Sequence, residues 1–280
     1  MARTANQPMV VITAPIFGPV FGGWITDSLS WPWIFFINIP TGLFAAFAVG
    51  YPLRGRESTK IKLPVDVIGL ALAVIGVGSL QFVLDNGNDQ DWFSSTEIIV
   101  LSVTAVVALS FLIVWELTDK HPVIDLHFFQ RHNYTVGVIA ISVGYAGLMA
   151  VNVLTPLWLQ TVVGYTATWA GYAVAPMGLL AVFVAPILGR NMNRVSLRFV
   201  ASLAFVIFCF SAFTLSDVSE RSSFWQIALP RMIYGMGMPM FFMTLNQILL
   251  SEAKPHELAS AAGLANFMRT TAGSFATAIT

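Results

Sequence analysis

The chain has 280 residues, 56% of them hydrophobic and 10% charged, and its mean hydropathy is +0.75. Soluble domains carry about 25% charged residues, so this composition cannot coat a water-facing surface and points to a protein embedded in the lipid bilayer. The 14 basic and 14 acidic residues cancel, which leaves no argument for a nucleic-acid partner, and the single cysteine, Cys209, excludes an intrachain disulfide and a Cys-rich metal site.

A membrane-crossing helix needs about 20 mostly apolar residues. Nine segments qualify in chain order: 8–25, 33–52, 66–84, 97–117, 136–159, 167–189, 199–216, 224–249 and 259–280. Leu, Ile, Val, Ala and Phe dominate them without two-residue alternation, which favours helices over a barrel. The predicted fold class is an all-α polytopic membrane protein with about nine transmembrane helices. The longest polar connections, near 53–65, 85–96 and 118–133, leave no room for a soluble domain.

The basic residues predict the orientation. Arg54, Arg56, Lys60, Lys62, Lys120, Arg131, Arg190, Arg194, Arg198 and Lys254 fall in loops of one side by parity, and Arg221 alone in those of the other. Loops rich in Lys and Arg stay in the cytoplasm, so the N-terminus is expected there and the loop TDSLSWPW outside. Trp24, Trp31, Trp33, Trp92, Trp158, Trp169 and Trp225 then mark the outer ends of spans as an interfacial belt.

The first segment carries APIFGPVFGGWI, Ala14 to Ile25, with two prolines and three glycines in an apolar run. On a helix Ala14, Gly18 and Gly22 share one face, and small residues four apart let two backbones approach closely in lipid. Pro15 and Pro19 each remove an intrahelical hydrogen bond and invite a bend. The expectation is a kinked helix whose Gly18–Gly22 face presses on a neighbour.

Polar residues inside later segments are the other candidates. Asn152, with Thr155 and Pro156, is a candidate cavity residue, while Asp66 and Glu116 read as solvated residues at cytoplasmic span ends. Arg231 lies about seven residues into its span. It either snorkels to the outer interface or lines a cavity or bonds another span, helped by Gly235, Gly237 and Pro239. Arg269, one turn from Asn266, lies nearer mid-membrane and needs a partner. His121, His127, His132 and His256 all sit in loops without metal-ligand spacing, and no intramembrane acid pair or GxxxxGK[ST] occurs. Neither an enzyme nor a nucleotide-driven pump is expected, and no metal.

The residues GPVFGG (Gly18 to Gly23) followed by WPWIFFINIPTGL (Trp31 to Leu43) resemble the antiporter signature of the major facilitator superfamily, as found in its fourteen-span drug:proton antiporters. LRGRES (53–58), the run 66–95, FLIVWELTDKHPVIDLHFF (111–129), GYTATWAGYAVAPMG (164–178) and NFMRTTAGSFATAI (266–279) resemble further stretches of that group in the right order. They look closest to the inner-membrane subunits of Emr-type multidrug efflux systems. PILGRNMNRVSLR (186–198) resembles a degraded second-half copy of the superfamily's cytoplasmic loop signature, with Gly189 making the turn and Arg190, Arg194 and Arg198 bonding helix ends or carboxylates; Asn193 stands where the family often has Asp.

The resemblance implies a partial major facilitator fold: residues 1–52 as the last two spans of the N-terminal half, 53–133 as two extra central spans, and 134–280 as a truncated C-terminal half. Pro15, Gly18, Pro19, Gly22 and Gly23 would then sit where the two halves meet and seal the substrate path. It implies export of hydrophobic drug-like compounds by proton antiport, with no cofactor, from a bacterial inner membrane. A periplasmic adaptor protein and an outer-membrane channel would be partners. A fourteen-span member has four spans before this first segment and another after residue 280. The chain is therefore expected to be a fragment covering spans five to the start of thirteen; the alternatives are a truncated, non-transporting remnant of such a pump and an exporter of another small molecule in the same superfamily.

Overall fold

A computed structural model of the chain describes residues 7–53, 66–119, 126–254 and 257–279, with the backbone alone for 7–17, 49, 52 and 53. Arg54, Arg56, Lys60, Lys62, Lys120, His121, His256 and the Pro15 side chain lie outside the described residues. The described residues form helices and no strand: α1 (Gln7–Ser28), α2 (Trp33–Phe36), α3 (Asn38–Leu53), α4 (Val67–Asn86), α5 (Thr96–Thr118), α6 (His132–Thr161), α7 (Ala167–Val174), α8 (Met177–Asn191), α9 (Leu197–Ser216), α10 (Phe224–Leu250) and α11 (Leu258–Ile279).

All nine predicted segments are helical, with two interruptions that sequence periodicity does not mark. Segment 33–52 breaks into α2 and α3 at Ile37, and segment 167–189 into α7 and α8 at Ala175–Pro176. Prolines explain both. Pro40 and Pro176 have no N–H to give the carbonyl one turn earlier, and Gly178 instead closes a tight turn onto Ala175 O at 3.0 Å. Among the described residues, six stretches are long and apolar enough to cross a membrane: α4, α5, α6, the run 167–191, α9 and α10; Trp33–Ala48 is a shorter apolar helix.

Local chemistry fixes several boundaries. Asp66 caps α4, its carboxylate accepting from the Gly69 N–H at 2.8 Å. Thr166 caps α7 in the same way through the Trp169 N–H. The turn between α6 and α7 needs Gly164, whose φ of +79° is a left-handed conformation that side chains resist.

Packing divides the chain into two compact units. The first unites the described residues up to 53 with 155–191 and 206–239. Its core is the fully buried set Leu159, Ala170, Ala173 and Ile227, with Trp158, Tyr165 and Phe224 against it. The second unites the described residues of 66–154, 192–205 and 240–279. There α4 and α5 form a hairpin in which a side chain on Gly76 would fall 2.9 Å from Leu109 Cγ. Close backbone approach of this kind holds helices together in lipid, where burial of apolar surface gives no advantage over contact with lipid tails. Phe205, Phe241 and Phe242 stack edge-to-face in the same unit, and Gly144 makes room for Phe241.

Candidate functional site

The breaker-rich helix α1 packs on α7, within the first unit, through a different face from the one the sequence suggests. A Cβ on Gly23 would overlap the Ala167 carbonyl and lie 2.9 Å from Thr168 Cα, and one on Gly171 would overlap the Pro19 carbonyl. Pro19-x-x-x-Gly23 therefore meshes with Ala167-x-x-x-Gly171, one small pair on each helix. Gly18 and Gly22 have nothing among the described residues within 4 Å of where a Cβ would be. The Gly18–Gly22 stripe thus lies beside the α7 crossing rather than in it. Adjacent small residues offer two overlapping stripes on a 3.6-residue helix, and the partner's shape chooses between them. Asp27 closes the end of this contact, its Oδ2 accepting from the Thr168 N–H at 2.7 Å and from Thr168 Oγ1–H at 2.5 Å.

Arg231 lies in α10 beside two intrahelical prolines, Pro230 and Pro239. It is 0% exposed, with its guanidinium 5.9 Å from the centre of the Tyr234 ring. Full burial is at odds with snorkelling to the interface. The buried Ser211 hydroxyl donates to Pro230 O at 2.7 Å and ties α9 to α10. Gly235 and Gly237 are contact points rather than hinges. A Cβ on Gly235 would overlap the Met177 backbone, and one on Gly237 would lie 2.7 Å from the Phe208 ring.

In the second unit Arg269 sits halfway along α11. Its guanidinium carbon is 5.0 Å from the Tyr145 ring centre and 5.5 Å from that of Phe242, and Nη2 donates to Asn266 Oδ1. A charge at a helix centre costs about 2.5–3.5 kcal/mol on insertion scales, and ring faces return part of this as cation–π attraction. The partner expected from the sequence is thus two aromatic rings and an amide, with no carboxylate among the described residues. Asn152, on α6, is half-buried.

A polar cluster at the start of α6 joins three elements of the second unit. Arg131 Nη1 donates to Glu257 Oε2 at 2.8 Å and to Glu252 O at 2.9 Å, and Asn133 Nδ2 donates to Glu252 Oε1 at 2.7 Å. The buried Tyr134 hydroxyl donates to Ala261 O at 2.9 Å. The Arg131 hydrogen bond, followed by the Lys254 N–H, holds the Glu257 carboxyl far below its usual range, at about 2. Arg131 counted in the sequence only as a topological marker; its pairing across 126 positions has no local signature.

The reading of Glu116 as solvated is overturned, while Asp66 is half-buried and hydrogen-bonded. Trp115 Nε1–H donates to both Asp66 oxygens at 3.1 and 3.0 Å, so the residue caps α4 and braces α5 together. Glu116 is 1% exposed and faces an apolar cavity of about 320 Å³ with Leu80, Leu112, Leu264 and Phe267 in its wall. An Asp just before an apolar run is a helix-cap pattern that sequence reading can recognise; the burial of Glu116 is not readable that way. In the 186–198 stretch, Gly189 lies in the last turn of α8 and the turn itself follows at 192–195. Arg190, Arg194 and Arg198 are exposed, and their guanidinium groups bond no described residue.

Apolar helices long enough to cross a membrane, joined by tight small-residue crossings, define a multi-span membrane protein. Residues 7–277 match the Major Facilitator Superfamily, and the chain belongs to that family. It is 47% identical over 276 residues to the Multidrug export protein EmrB of Escherichia coli K12, covering 97% of this chain and 53% of the relative. It is 44% identical over 273 residues to the Multidrug export protein EmrB of Haemophilus influenzae (97% and 54%). It is 42% identical over 273 residues to the Fatty acid resistance protein FarB of Neisseria gonorrhoeae (98% and 54%). The chain spans about half the length of these curated relatives.

Proposed function

We propose that this chain acts within a proton-driven exporter of hydrophobic, drug-like compounds that works by alternating access in a bacterial inner membrane. The observation that carries this reading is 44–47% identity, over almost the whole chain, to proteins named for multidrug export. The energy source is the proton gradient, without a cofactor, and chemistry on the substrate is not part of the role. A periplasmic adaptor and an outer-membrane channel are the partners this reading calls for.

The ten-to-one split of loop basic residues supports a cytoplasmic N-terminus. With that orientation, the α1–α7 crossing of Pro19 and Gly23 and its Asp27–Thr168 bonds serve at the outer side, and Pro15, Gly18 and Gly22 of the same signature help to seal the substrate path beside it. The Arg131–Glu257 cluster and the Gly189, Arg190, Arg194 and Arg198 stretch serve at the cytoplasmic side. Asn152, Arg231, Asn266 and Arg269 are the polar residues of the interior. The division into 1–52, 53–133 and 134–280 follows the family halves and extra central spans.

Cells stripped of their own efflux pumps test the reading. Expression of the chain should lower accumulation of a fluorescent apolar dye, and a protonophore should abolish the difference. Equal accumulation with and without the chain, at verified membrane abundance, overturns it. A second reading, export of fatty acids, is favoured by the 42% identity to a protein named for fatty acid resistance. Growth protection against a long-chain fatty acid and not against dyes would select it.

A further inference from the structure

The geometry points to Arg269 as an anion-reading group: a subsite that takes the carboxylate, or a similar planar oxyanion, of an apolar organic acid. A guanidinium has five N–H donors in one plane. Here both neighbouring rings, Tyr145 and Phe242, meet it as cation–π partners at 5.0 and 5.5 Å. Rings offer their faces and accept no in-plane hydrogen bond, so they hold the cation without consuming its donors. Asn266 uses one donor of Nη2, and Nε is buried with no hydrogen-bond partner among the described residues.

The socket is built rather than incidental. Gly273, one turn beyond Arg269, has a bare Cα because a Cβ there would fall 2.8 Å from Tyr145 Cε1. The missing side chain is what lets the Tyr145 ring lie along α11 beside the guanidinium. Asn266, one turn before, is exposed and orients the other edge of the group. The charge is thus fixed in position, flanked by apolar rings and neutralised by no acid among the described residues. A planar cation held this way suits the two-pronged bonding of a carboxylate, while the rings suit an apolar body attached to it. A cationic substrate would meet repulsion at the same place.

This assignment rests on the export reading for where the ligand goes, but its test is a binding measurement. The purified chain in lipid nanodiscs is titrated at neutral pH with dodecanoate, dodecanol and dodecyltrimethylammonium, which share a tail and differ in head charge. Dodecanoate is expected to bind about tenfold more tightly than dodecanol, as a charge-assisted pair implies. Arg269→Gln should remove that preference and leave dodecanol affinity unchanged. Arg269→Lys, which keeps the charge and should preserve the fold, is expected to weaken dodecanoate several-fold by losing the fork. A wild-type chain without the preference, or an unchanged preference in Arg269→Gln or, if that variant aggregates, in Arg269→Lys, overturns the assignment. An Arg269-dependent preference in a chain that exports nothing from cells would keep this inference and sink the export reading.

Discussion

Two adjacent glycines of α1 occupy opposite situations. Gly23 lies against the Ala167–Thr168 backbone, and Gly22 has open space among the described residues. Gly23→Leu is therefore expected to destabilise the purified chain by about 1–3 kcal/mol or more, the range for overpacking, and to lower its apparent melting temperature. Gly22→Leu should change it by about 0.5 kcal/mol or less. Equal losses in both variants would contradict the Pro19–Gly23 contact face. Glu257 gives a prediction with pH. Its folded pKa of about 2 lies below the ordinary value of 4.5, so the pairing with Arg131 stabilises the fold above pH 4.5 and fades as pH falls towards 2. A melting series of wild type against Glu257→Gln should show a constant gap at neutral pH that closes only in that acid window. A gap closing near pH 6 would mean that something other than this carboxylate titrates.

Among the elements, the α4–α5 hairpin is held at one end by a single carboxylate doing two jobs. Asp66 caps α4 through Gly69 N–H and receives the Trp115 indole N–H of α5. Loss of a cap costs about 1 kcal/mol, and a hydrogen bond to a charged group contributes about 1.5–3. Asp66→Ala should thus destabilise the chain more than Trp115→Phe, and the double variant should cost less than the two added together, because both remove the same bond. Full additivity in a thermal-unfolding cycle would disprove the link. Helix α10 follows a different logic. Pro230 and Pro239 interrupt its bonding, yet Ser211 and the close approaches at Gly235 and Gly237 hold it in place. Gly235→Ala is expected to be poorly tolerated despite the small change, since the new methyl group would meet the Met177 backbone, which cannot rotate away.

For the molecule as a whole, loop charge predicts which way the helices face. The basic residues of 54–62 lie outside the described residues, so orientation rests on charge asymmetry alone. With Cys209 replaced by Ser, a Ser58→Cys chain should resist an impermeant thiol reagent in intact cells and react once the membrane is opened. Labelling in intact cells would reverse the orientation and exchange the outer and cytoplasmic roles proposed for the Asp27 and Arg131 clusters.

The amino-acid sequence by itself determined the helical membrane class, the nine apolar segments and the family. Each follows from composition, run length or local motif, properties that need no knowledge of neighbours. It also singled out Pro19, Gly23, Arg231 and Arg269 by residue type. Only the tertiary structure decided which small residues touch, that Arg231 is fully enclosed, that Arg269 is held by rings rather than an acid, and that Asp66 and Glu116 are built into the bundle. Those outcomes depend on residues far apart in the chain, as Pro19 and Gly171 are. In a chain apolar on nearly every helix face, periodicity cannot tell a face turned to protein from one turned to lipid, because lipid tails and leucines are equally apolar neighbours.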